Sequence, residues 1–128
     1  MARVLALVPD LLFGSRVQAA LQGAGHDVEL VSDTQRVREQ LDDPALTDVL
    51  VVDLTSDDPD GVVLVRSLAE EGKLTRARTL GFFSHVDTDT RERAQEAGFD
   101  MVVPRSRMAR EGAELVTRLA ERAGPAEG

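Results

Sequence analysis

Apolar residues along this chain gather in short runs separated by amphipathic stretches of helical period. The runs at 4–8, 28–31, 49–53, 79–83 and 101–103 are rich in Val, Leu and Phe and predict strands. Between the first two, Phe13, Val17, Ala20, Leu21 and Ala24 form one stripe, and Gly23 and Gly25 supply a stop. Val37 and Leu41 anchor a short second helix that ends before Pro44. Val62, Leu64, Val65 and Leu68 mark a third, opening after Pro59-Asp60 and closing near Gly72. Asp87 or Thr88 caps a fourth, with Ala94 and Ala97 facing inward before Gly98. Met108, Gly112, Leu115, Val116 and Leu119 give the fifth its stripe.

Strand then helix, five times without a sequence repeat, predicts an α/β fold in which a five-stranded parallel sheet lies between helical layers. For an open sheet of this size the expected arrangement is the doubly wound, flavodoxin-like order 2-1-3-4-5 with five helices. Strands one and three are then central neighbours. Their C-terminal ends, at Pro9-Asp10 and at Asp53, line one crevice. One domain is expected over residues 1–123, with residues 124–128 a flexible tail.

Composition narrows the function more than the fold. A formal charge of −8 disfavours binding to a nucleic-acid backbone or an anionic membrane. The absence of Trp and Tyr, with only four Phe, removes an aromatic base-stacking surface. No cysteine means no disulfide framework, thiolate zinc site or cysteine nucleophile, which suits a reducing cytoplasm. The N-terminal apolar run is too short for a signal peptide or a membrane span, so a cytoplasmic location is expected. No nucleophile and base pair supports an enzyme.

The most informative segment is 48–61, Asp-Val-Leu-Val-Val-Asp-Leu-Thr-Ser-Asp-Asp-Pro-Asp-Gly. It is a buried-type strand ending in Asp53 at the sheet edge where open α/β folds place ligand sites. Residues 89–100, Asp-Thr-Arg-Glu-Arg-Ala-Gln-Glu-Ala-Gly-Phe-Asp, form a second distinctive stretch. With these two segments the chain, from residue 3 to about 121, resembles the receiver (CheY-like) domain of bacterial response regulators in two-component signal transduction.

The resemblance implies that Asp53 matches the phosphoacceptor of a histidine-kinase phosphorelay, with the Thr55 carbonyl as a metal ligand. Such domains hold Mg²⁺ with an acidic pair ending strand one. They bond the phosphoryl group with a Thr or Ser ending strand four and neutralise it with a Lys ending strand five. Here the acidic pair falls on Val8 and Pro9, and Asp10 comes one place later. The hydroxyl position falls on Phe83, followed by Ser84, and the Lys position on Arg105. Phosphoryl transfer depends on positioning and charge neutralisation, so losing several helpers is costly.

Each substitute has two readings. Asp10 is either the N-cap of the first helix or a metal ligand after a one-residue shift. Ser84 either donates into the pocket or serves a local turn. Arg105 either pairs with Asp53 or points to solvent. Asp57, Asp58 and Asp60 form a solvated turn capping the third helix, or supplement a cation site. Asp10, Asp53 and the Thr55 carbonyl are the candidate set for weak Mg²⁺ or Ca²⁺ binding. His26 and His85 lack the companions a zinc site needs.

The favoured expectation is a pseudo-receiver: a signalling module that works without normal phosphotransfer, by protein–protein contact. The resemblance places the partner (a kinase, an output protein or a second copy) on the face of helix four, strand five and helix five. The first alternative is a working receiver phosphorylated on Asp53. The second is a flavodoxin-like small-ligand binder, although the loop after strand one lacks a phosphate-cradling composition. With no appended output domain in the sequence, a stand-alone module or an excised fragment is expected.

Overall fold

The computed structural model describes residues 2–123, and the expected tail at 124–128 lies outside the described residues. The elements run β1 (Arg3–Leu7), α1 (Leu11–Gly23), β2 (Asp27–Val31), α2 (Thr34–Leu41), β3 (Val49–Asp53), α3 (Gly61–Glu70), β4 (Arg78–Phe83), α4 (Thr88–Ala97), β5 (Met101–Pro104) and α5 (Arg105–Ala120). All strand pairings are parallel and the order is β2-β1-β3-β4-β5. Val49, Leu50, Val51 and Val52 are each 0% exposed, because β3 is central and covered on both faces.

Strand alternation sends successive side chains to opposite faces. Val4, Ala6, Val49, Val51, Leu80 and Phe82 join Phe13, Val17 and Leu21 of α1 and Met108, Leu115, Val116 and Leu119 of α5. Leu5, Leu7, Leu50, Val52 and Phe83 join residues of α2, α3 and α4 on the other side. Phe83 is thus a core residue and offers nothing in place of a hydroxyl.

Short polar caps fix where the helices begin. Asp10, Asp33, Asp60 and Asp87 each accept backbone N–H bonds at the starts of α1, α2, α3 and α4. Gly98 follows α4 at φ 101°, a left-handed conformation that favours glycine. The structure differs from expectation in places. Ala20 and Ala24 are exposed, since α1 buries only the narrower stripe of Phe13, Gly14, Val17 and Leu21. A short 3₁₀ turn, Pro44–Leu46, follows α2, opened by Asp43 accepting from the Ala45 N–H at 3.0 Å. Strand β5 extends to Pro104, whose missing N–H is tolerated because β5 is an edge strand.

Two polar clusters secure the opposite edge of the sheet. Asp48 accepts the Arg3 N–H at 2.8 Å and pairs with Arg76. His26, 7% exposed, accepts the Ala2 N–H on Nδ1 at 3.1 Å. The Thr117 hydroxyl donates to the Ala113 carbonyl, so it accepts from His26 Nε2–H at 2.9 Å.

Candidate functional site

At the C-terminal end of β3 the chain leaves the sheet with Leu54 N–H donating to the Phe82 carbonyl at 2.8 Å. That bond sets Asp53 at the sheet edge, 4% exposed. Its Oδ1 accepts from the Thr55 N–H at 2.7 Å and from the Thr55 hydroxyl at 2.6 Å. Thr55, itself exposed, therefore lies across the carboxylate. Among the described residues no Arg or Lys forms an ion pair with Asp53. A buried carboxylate is tolerated here by hydrogen bonds to its charged form in place of a counter-cation.

The candidate partners of Asp53 are engaged elsewhere. Asp10 is the N-cap of α1, with Oδ1 accepting from the Leu12 and Phe13 N–H groups at 3.1 Å each. Its Oδ2 meets Arg105 at 3.3 Å. The Phe13 N–H bond chiefly holds the Asp10 carboxyl below its ordinary value of 3.8, opposed by desolvation and helped by the Arg105 charge. Arg105 does not reach Asp53, and it does not simply point to solvent. Its guanidinium lies over the Phe13 ring at 4.1 Å, and Phe13 in turn rests on Phe82 at 5.2 Å between centroids. Both readings of Arg105 offered by the sequence are corrected by that aromatic support and by the cap of α1, which presents a nearer carboxylate.

The acidic loop is a turn. Ser56 and Asp58 bond each other, while Asp60 caps α3 through the Val62 and Val63 N–H groups and meets Arg93 at 3.4 Å. Asp57 and Asp58 are exposed. Ser84 is half-buried just beyond β4, and its carbonyl accepts the Asp87 N–H at 2.8 Å. Above the Asp53 end of the sheet lies an open cleft of about 420 Å³, lined by Thr55, Ser84, His85, Arg105, Arg16 and Ser106, with Phe13 at its base. Arg16 and Ser106 were not foreseen as cleft residues. Arg16 follows Phe13 by one helical turn on an exposed helix face, which carries no local sign of a cleft, and Ser106 stands directly after Arg105.

A divalent cation needs several convergent oxygens. Val8 and Pro9 supply none from their side chains, both Asp10 oxygens are committed, and Asp53 Oδ1 is held by Thr55. Among the described residues no cluster of three or more His, Asp or Glu is arranged to hold a metal. In this arrangement both Asp10 oxygens and Asp53 Oδ1 are thus engaged by groups of the chain itself.

No protein-family model matches the sequence, and no curated protein matches it either. Solved structures match the fold closely. The receiver domain of the Francisella response regulator 1452 superposes with a TM-score of 0.82 at 18% identity, over 95% of this chain and 98% of that one. The receiver domain of the TMAO respiratory response regulator TorR gives 0.83 at 20%, over 97% and 100%. A putative response regulator from Chloroflexus aurantiacus gives 0.83 at 19%, over 94% and 98%. The chain has the receiver-domain fold. Within that fold, Asp53 stands at the C-terminal end of the central strand β3. No helix among the described residues is long and apolar enough to cross a membrane.

Proposed function

We propose that this protein is a receiver-like signalling module that passes information by protein–protein contact and does not undergo normal phosphotransfer on Asp53. The observation that carries the proposal is the state of Asp53 itself. Its carboxylate is buried, held by both hydrogen-bond donors of Thr55, and lacks a basic partner among the described residues. A phosphoryl group arriving there would need the Thr55 bonds broken and its charge neutralised, and Arg105 is bound to Asp10 and Phe13.

The partner surface we propose is the face formed by α4, β5 and α5, and support for it comes from the receiver-like fold. Strand β5 is an edge strand, so this face has no further strand beyond it. Helix α5 carries four Arg and two Glu, with Arg107 paired to Glu111 and Arg118 to Glu114. A cytoplasmic histidine kinase, an output protein or a second copy of the chain are the partner classes.

Incubation with Mg²⁺ and a small phosphodonor, followed by intact-mass measurement, tests the reading. Unchanged mass is expected. A gain of one phosphoryl group that disappears in Asp53→Asn would instead establish a working receiver.

A further inference from the structure

We propose that the cleft above Asp53 is a non-covalent binding site for a small phosphorylated ligand, best suited to a diphosphate group, in which Arg16 and Arg105 clamp the anion. Where metal-binding carboxylates would make such a crevice attract cations, this one presents two guanidinium groups. Arg16 projects from α1, is exposed, and has no ion pair among the described residues. Arg105 is pre-positioned on Phe13 with its guanidinium 4.1 Å from the ring centroid. A planar fork held in place loses little freedom on binding a phosphate, and Arg forks match phosphate oxygens in pairs.

The remaining lining supplies neutral donors. Ser84, Ser106 and His85 line the same space as the two arginines. Ser106 also lies in the first turn of α5, the one long helix whose N-cap, Pro104, gives no side-chain hydrogen bond. The cleft, at about 420 Å³, falls within the range of small-molecule sites, roughly 300–1,000 Å³. Asp53 stays shut beneath Thr55, so its carboxylate does not enter the ligand's contacts. The acidic group nearest the clamp is Asp10, whose Oδ2 the ligand would compete with for Arg105. This site is separate from the question of Asp53 chemistry, so either proposal can fail while the other stands.

Titrating inorganic pyrophosphate into the protein in EDTA, by calorimetry and by amide chemical shifts, tests the proposal. One saturable site is expected, with shifts at Arg16, Ser84 and Ser106. Arg16→Gln and Arg105→Gln should each weaken it about tenfold or more, as expected for loss of a charge-assisted bond. Asp10→Asn, which can still cap α1, should tighten it by freeing Arg105. Arg93→Gln, at a position that is not part of the cleft lining, should leave it unchanged. Thermal melts of each variant separate lost binding from lost folding. The proposal is overturned by the absence of saturable binding, by equal weakening in Arg93→Gln, or by binding that needs Mg²⁺ and vanishes in Asp53→Asn.

Discussion

Thr55→Val isolates the contact on which the reading of Asp53 rests. The substitution keeps the side-chain shape and the backbone N–H bond to Asp53, and removes only the hydroxyl that donates at 2.6 Å. A hydrogen bond to a charged group contributes about 1.5–3 kcal/mol. Because Thr55 is exposed, water can partly replace the lost donor, which puts the expected cost at the lower end, about 1.5 kcal/mol. For a domain of this length that lowers Tm by about 4–6 °C. In the Asp53→Asn background the acceptor is uncharged and the same change should cost about 1 kcal/mol less. Urea denaturation of the wild type, both single variants and the double variant measures this coupling. Fully additive effects, or a Thr55→Val protein as stable as wild type, would show that the hydroxyl does not hold the carboxylate and would refute the argument.

Other consequences follow from the packing and the caps. A Cβ on Gly81 would sit 2.7 Å from Leu54 Cδ1 and 2.9 Å from Phe99 Cε2, so Gly81→Ala should cost about 1–3 kcal/mol in chemical denaturation despite the usual strand penalty of glycine. His26→Ala orphans the buried Ala2 N–H and removes the donor to Thr117, for a loss of about 1–3 kcal/mol; an unchanged denaturation midpoint would contradict the bonding described. The carboxyls of Asp10 and Asp87 are held below 3.8, the first mainly by the Phe13 N–H and the second mainly by the Thr90 hydroxyl. Their folded values lie below the unfolded one, so their contribution is fully present above 3.8 and lost as pH falls through the lower folded values. Melting curves of the Asp10→Asn/Asp87→Asn double variant should accordingly lose less stability than wild type over that acid range.

The fold was legible because local signals agreed with one another. The all-apolar run ending in Asp53 announced a central parallel strand, and the aspartates before each helical stripe marked α1, α3 and α4. Edges were less legible. Ala20 and Ala24 kept the helical spacing of α1, but alanine carries too little apolar area for spacing to distinguish a buried position from an exposed one. At the site, Asp53 and the lack of carboxylates at Val8 and Pro9 could be read directly. The fate of Arg105 could not. It depends on Phe13 and Asp10, more than ninety positions away in the chain, and on α1 and α5 packing side by side. Arg16 escaped for the same reason, since a lone arginine on an exposed helix face has no local feature that announces a cleft.

The central proposal is that the Asp53 crevice does not support cation-dependent phosphotransfer. Titrating Mg²⁺ while following the amide shifts of Leu54, Thr55 and Ser84 tests it most directly. The account predicts no saturable shift at these three positions. Saturable shifts there, abolished by Asp53→Asn, would contradict it.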